Sequence, residues 1–237
     1  MTSASEHRGH DFAQANKAHF DEHAGKLEEE HPYARELGVI TVNTMREHYP
    51  SLFDKEHTEV LDYACGIGLV SQALRPYVEH ILGVDISQGS VDLFNKQAAD
   101  KGFASEMKAV VGPLKGEPGE RDGKKFDVII CCAAYHHMVS IEETTRILAF
   151  FLKPGGSLLV TDLKAAPDGR VLVPETHHHL VPHKHGLTEE TMRKTFEEQG
   201  LTNFGFNSMP APEFMAKMFG ADLQWFLARG VKPADKA

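Results

Sequence analysis

The stretch from Val60 to Ser71, VLDYACGIGLVS, constrains the fold of this chain more than any other. A β-type run from Glu59 to Tyr63 leads into Cys65-Gly66-Ile67-Gly68, and from Leu69 the apolar residues fall at helical spacing. Two closely spaced glycines open backbone conformations closed to other residues and let the main chain approach a ligand. A helix that starts directly after such a turn presents N–H groups without intrahelical partners, which suits negative or electron-rich ligand atoms. The stretch therefore reads as strand, ligand-cradling loop and helix in one unit.

The same alternation continues downstream. Strands are expected at Glu59 to Tyr63, His80 to Asp85, Lys108 to Val111, Phe126 to Cys131 and Ser157 to Asp162. Between them, helices are expected at Leu69 to Val78, Ser90 to Lys101 and Ile141 to Phe151. This rhythm predicts an α/β fold with a doubly wound, Rossmann-like parallel sheet. Residues 1–14 are polar with little periodicity and are expected to form a mobile tail. Residues 15–55 hold two helix-like pieces, NKAHFDEHAGKLEEE and YARELGVITVNTMREHY, read as an N-terminal helical cap on a core spanning 56–237. The rhythm breaks at residues 164–187, a long connection with five histidines, before a helix from Glu189 to Gln199 that stops at Gly200. Phe204 to Met209 and Leu223 to Ala228 read as closing strands with a helical PEFMAKMFG between them. Residues 15–237 are thus taken as one domain.

Charge and cysteine usage exclude several function classes. Lys and Arg number 25 against 34 Asp and Glu, a formal charge of −9, and no basic stripe offers a surface for nucleic acid. The cysteines Cys65, Cys131 and Cys132 give no disulfide framework, and the first residues carry no apolar leader, so a cytoplasmic compartment is expected. No apolar run approaches the roughly 20 residues of a membrane span.

Two acidic residues narrow the ligand. Asp62 lies inside the first strand, and Asp85 ends the second, 17 residues beyond Gly68. An acid at the end of the second strand of such a sheet can accept both hydroxyls of a ribose. A dinucleotide fingerprint would place a third glycine where Ser71 stands, and the Asp62 carboxylate would repel a pyrophosphate. The pattern favours an adenosine cofactor that carries a positive group, such as an amine or a sulfonium, over a nicotinamide dinucleotide.

VLDYACGIG, GVDIS, FDVIICCAAYHHM and LKPGGSLLVTD, in this order and at these spacings, resemble the class I S-adenosylmethionine-dependent methyltransferases. The likeness is greatest to the small-molecule branch that includes the ubiquinone and menaquinone biosynthesis enzymes, and it runs from about Ala15 to Gly230. It implies a seven-stranded sheet, mostly parallel, with an antiparallel last strand. It also implies that Asp62 and the loop Ala64, Cys65, Gly66 and Gly68 hold the methionine part of S-adenosyl-L-methionine. Asp85 would take the ribose, Ile86 and Leu114 would lie by the adenine, and Cys131 and Cys132 by the sulfonium. Three departures from the pattern matter. Ala64 replaces a usual glycine, which requires its φ to stay below zero. Pro113 replaces an aspartate that would meet the adenine amino group, leaving backbone near Gly112 to Leu114 to serve. Leu27 stands where relatives often have a tyrosine.

His136 and His137 follow the fourth strand at the expected pocket mouth and are the candidate catalytic bases for a hydroxyl or thiol acceptor. On the acceptor side stand His179, His183 and His185 of the histidine-rich connection, with Phe20 and Tyr33 of the cap. No metal site is expected, because Pro182 interrupts any helix that would align His179 with His183. Phe204, Phe206, Phe214, Phe219 and Trp225 read as core, with Phe214 and Met215 reaching toward the pocket. The expected function is methyl transfer to a small organic acceptor, most naturally at oxygen, with sulfur or nitrogen open. The alternative is a non-catalytic, cofactor-sensing protein on the same fold. Oligomeric state is not readable from the sequence.

Overall fold

The computed structural model describes residues 4–213, 215, 217 and 223–234, with side chains from residue 12 onward. Seven strands form one sheet: β1 (Glu59–Tyr63), β2 (His80–Asp85), β3 (Met107–Val111), β4 (Phe126–Cys132), β5 (Leu152–Leu163), β6 (Thr202–Met209) and β7 (Trp225–Val231). Their order is β3-β2-β1-β4-β5-β7-β6, and β7 runs antiparallel to both neighbours. The chain leaves β1 toward β2 on one side and returns to β4 on the other, so a crevice opens above the C-terminal ends of β1 and β4.

Helices with fully described bounds accompany the sheet: α1 (Ala4–His23), α2 (Leu27–Glu30), α3 (Ala34–His48), α4 (Leu69–Leu74), α5 (Gln88–Asp100), α6 (Ile141–Phe151) and α7 (Glu189–Glu198). Three begin on side-chain caps. Ser87, Ser140 and Thr188 each accept a backbone N–H from the third residue onward, satisfying a donor the first turn leaves without a partner. α7 ends at Gly200, whose φ of 77° continues the chain in the left-handed region expected after a helix.

Strand alternation assigns the two faces of the sheet. Val60, Val128 and Ile130 pack with residues of α3, α4 and α5, whereas Leu61, Ile129 and Cys131 pack with α6 and α7. A third apolar cluster, including Leu37, Leu163, Leu180, Val181 and Trp225, joins α3 to the histidine-rich connection above the strand ends.

β1 and β2 sit at the expected residues and β3 and β4 each run one residue longer, whereas β5 starts at Leu152, five residues ahead of the apolar run at Ser157, β6 starts two residues early at Thr202 and β7 is shifted to Trp225–Val231. The Pro-Gly-Gly start of β5 hides it from an apolar pattern. The first helix-like piece is broken, with α1 ending at His23 and a 3-10 turn (Ala24–Lys26) before α2. α1 also begins at Ala4, inside a segment for which no regular element was expected. The helix expected at PEFMAKMFG, with Phe214 and Phe219, lies largely outside the described residues.

Candidate functional site

A cavity of about 610 Å³ occupies the crevice above β1 and β4. Its floor is the β1–α4 loop, with Tyr63, Ala64, Cys65, Gly66 and Ile67, together with Asp85 and Ile86 after β2, Gly112 and Pro113 after β3, and Cys132 to Ala134 after β4. Its roof comes from α1, α3 and the connection 172–181.

Asp85 is the polar centre of the floor. Its two oxygens accept the backbone N–H groups of Gly66, at 2.8 Å, and Ser87, at 2.9 Å. One carboxylate thereby ties the glycine loop to the start of α5. Each oxygen keeps further acceptor capacity, the donor set that two vicinal hydroxyls would complete. Burial pushes Asp85 above the usual carboxylate range despite those N–H donors.

Asp62 occupies a different place from the one the resemblance implied. It shares the strand face of Val60, points toward α4 and accepts Ser71 Oγ at 2.6 Å, and it is not part of the cavity wall. Tyr63, one residue on, takes the wall position. Burial, with a further contribution from the charge of Asp85, raises Asp62 to about 7. Among the described residues neither carboxylate meets a lysine or arginine, and burial favours the protonated form of both.

The loop itself departs from expectation at Ala64, which adopts φ 56° rather than a negative value. The backbone must turn there to bring Cys65 N–H to the Val84 carbonyl at 3.2 Å, and the left-handed conformation that glycine would take freely is imposed on alanine. Ala133, across the floor after β4, is held at φ 52°. Gly68 is a turn residue outside the cavity wall: at φ 84°, a Cβ on it would lie 2.5 Å from the Phe94 ring. Cys65, Gly66, Ile86 and Cys132 line the cavity as the resemblance implied. Cys131 and Leu114 do not, because both belong to the buried core on the α6 face. Burial raises the thiols of Cys131 and Cys132 well out of the reactive range.

On the far side of the floor a dyad forms. His136 Nδ1 lies 2.7 Å from Asp162 Oδ1, and Asp162 is fully buried at the end of β5. Burial alone would raise Asp162, but the adjacent His136 and the backbone N–H groups of Leu163 and His136 hold it below the usual carboxylate range. An ionised carboxylate accepts only, so the imidazole nitrogen facing it, Nδ1, carries the proton of this bond. His136 forms part of the cavity wall.

His137 plays another part. Its Nδ1 donates to the Leu180 carbonyl at 3.1 Å, and its ring meets Phe20 edge-on at 5.7 Å. Burial, then the neighbouring His136, lowers it to about 3, so it stays neutral. Asn16 Nδ2 of α1 donates to the same Leu180 carbonyl at 2.9 Å. Leu180 is thus the point where roof helix, roof loop and floor are fastened together.

Of the acceptor-side candidates, Phe20 and Tyr33 line the cavity, whereas His179, His183 and His185 do not. Leu180 and Val181 turn inward as the loop's buried anchors, His185 bonds back to the Gly169 carbonyl at 2.9 Å, and His183 N–H reaches the His136 carbonyl at 3.3 Å. His177 lines the cavity instead, beside His19 of α1 at a ring separation of 6.2 Å. Among the described residues no three His, Cys, Asp or Glu side chains stand close enough to hold a metal ion. Nor, among the described residues, is any helix long and apolar enough to cross a membrane.

Asn16, Asp162 and Trp225 are site residues that sequence reasoning passed over. Asp162 had a signal, since LLVTD ends its strand in an acid as GVD ends β2. Trp225 had none, because an aromatic residue opening a closing strand reads as core, yet it lines the cavity.

Comparison with known proteins agrees with this geometry. Residues 42–204 match the family model of a methyltransferase domain. An uncharacterized methyltransferase of Schizosaccharomyces pombe is 33% identical over 178 residues, 72% of this chain and 63% of that protein. The uncharacterized methyltransferase YcgJ of Bacillus subtilis is 26% identical over 226 residues, 93% of this chain and 82% of its own length. Its crystal structure superposes with a TM-score of 0.60 at 20% identity, over 81% of this chain and 98% of that one. The ubiquinone biosynthesis O-methyltransferase of Bordetella avium is 27% identical over 108 residues, 46% of this chain and 44% of that enzyme. The chain therefore spans less than two thirds of the yeast and Bordetella relatives.

Proposed function

This chain belongs to the class I S-adenosylmethionine-dependent methyltransferases, and from that premise we propose that it methylates a hydroxyl of a small organic acceptor. The observation that carries the choice of oxygen is His136 in the cavity wall, backed by the buried Asp162 carboxylate. A hydroxyl is far from ionised at neutral pH and its proton must be taken as the bond to carbon forms, whereas a thiol ionises closer to neutrality and depends less on a base.

The floor residues fit the cofactor. Asp85 has the acceptor capacity for the ribose hydroxyls, the loop Ala64 to Ile67 lies alongside, and Ile86 with Gly112 and Pro113 offers an apolar slot for a flat base. A cationic ligand above the floor would favour ionisation of Asp85 and, from beneath the loop, of Asp62, both of which burial otherwise holds toward the protonated form. When bound, the cofactor supplies a methyl carbon activated by its sulfonium.

The chain's own part is positioning and one proton. The roof, fastened at Leu180 by Asn16 and His137, closes over the acceptor and excludes water. His136 takes the hydroxyl proton at Nε2, and Asp162 stabilises the imidazolium that results while keeping the ring oriented. His137, neutral and engaged by Leu180, acts as a structural pin rather than a base. Residues 15–237 work as one unit in this account, since α1 and α3 complete the cavity that the sheet begins.

Methyl-labelled cofactor supplied with a panel of small hydroxylated compounds tests the proposal. The expected product is an O-methyl ether, and His136→Gln should lose turnover while binding the cofactor as the parent does. Label appearing on nitrogen or sulfur, or full turnover by His136→Gln, would remove the assignment to oxygen.

A further inference from the structure

The roof half of the cavity differs from the floor in its chemistry. Leu37, Leu163, Val173, Leu180, Val181 and Trp225 face it, and these residues also form the apolar cluster above the strand ends. Among the described residues that line the whole cavity there is no lysine, arginine or glutamate, and Asp85 is the one aspartate. Asp85 is committed to the floor, where it holds the Gly66 and Ser87 amides. Five imidazoles line it: those of His19, His31 and His137 are each held below the ordinary histidine range by burial, His136 is already paired with the Asp162 carboxylate, and His177 stands beside His19. Trp225 carries a buried indole N–H without a hydrogen-bond partner in the structure, a donor that a neutral oxygen could satisfy.

We infer that the acceptor is an uncharged molecule with an apolar body, and that carboxylated, phosphorylated or sulfonated hydroxyl compounds are rejected. This rests on the methyl-transfer reading above and names the substrate class of the same site. An anionic group placed among these apolar side chains would lose its hydration with no lysine or arginine to pair it. A cationic acceptor would find its one carboxylate on the cofactor's side of the cavity.

Trp225 makes the test independent of catalysis, because it is the chain's one tryptophan. The full-length protein is saturated with S-adenosylhomocysteine and titrated with para-propylphenol or with para-hydroxyphenylpropanoate, which share a ring and differ in the terminal carboxylate. Quenching of the Trp225 emission reports binding. The neutral phenol is expected to bind at least about 100-fold more tightly than the carboxylate. Equal or tighter binding of the carboxylate, or no quenching by either compound, overturns the inference. Binding of the neutral phenol without methyl transfer from the intact cofactor would defeat the oxygen-methylation reading while leaving the uncharged pocket standing.

Discussion

Replacing Asp162 by asparagine removes the charge behind His136 while preserving the shape of the side chain. The parent carboxylate accepts three N–H groups: His136 Nδ1 at 2.7 Å, the His136 amide at 3.0 Å and the Leu163 amide at 2.6 Å. Asparagine offers one acceptor oxygen and must turn its NH₂ toward a donor. At an effective dielectric near 20, opposite charges about 4 Å apart are worth about 4 kcal/mol. An amide oxygen against Nδ1 recovers part of this, so the transition state in which His136 carries a proton should lose about 3 kcal/mol. That corresponds to a fall in kcat of roughly 100-fold. Initial rates of methyl transfer measure the fall, calorimetry with S-adenosylhomocysteine should show unchanged cofactor affinity, and thermal unfolding controls for the crowded donors. The loss should shrink for acceptors whose hydroxyl is more acidic, because their proton needs less assistance. A folded Asp162→Asn protein that keeps kcat within about threefold of the parent would refute the role of the dyad.

Other consequences follow from the floor. Ala64→Gly relieves a left-handed conformation at φ 56° and should raise unfolding stability in urea by about 1 kcal/mol, against a smaller loss from the added freedom of the unfolded chain. Asp62 is raised by burial from its ordinary 3.8 to about 7, so its ionisation opposes folding: stability without cofactor should fall as pH rises from about 4 through about 7. The full effect is about 4 kcal/mol, and Asp62→Asn, which can still accept from Ser71, should flatten that slope in thermal melts taken across the range.

Much of this architecture is legible in the sequence because parallel sheets write themselves as short apolar runs separated by helical spacing. β1, β2 and α6 stand at the residues the pattern indicates. Asp85 is legible too, since a charged residue at a strand's C-terminal end has only the crevice to face. What fails is anything set by parity or by distant contacts. Asp62 and Tyr63 are neighbours in sequence, and a strand puts them on opposite faces, so the acid goes beneath the loop and the ring into the wall. The sign of φ at Ala64 depends on where the loop must deliver Cys65 N–H, which no local signal reports. The loop histidines looked functional by their number, yet the hydrophobic anchors Leu180 and Val181 decide which residues turn inward, and they leave His177 rather than His179, His183 or His185 at the cavity. Asp162 meets His136 from 26 residues away, a pairing that depends on β4 and β5 lying side by side.

The central claim is that the floor around Asp85 is a cradle for S-adenosylmethionine. Titration calorimetry of the full-length protein with S-adenosylmethionine and S-adenosylhomocysteine, repeated on Asp85→Ala, tests it most directly. Saturable one-to-one binding of both by the parent is expected, with its loss in a folded Asp85→Ala protein. Absence of binding by the parent, or undiminished affinity in Asp85→Ala, would contradict it.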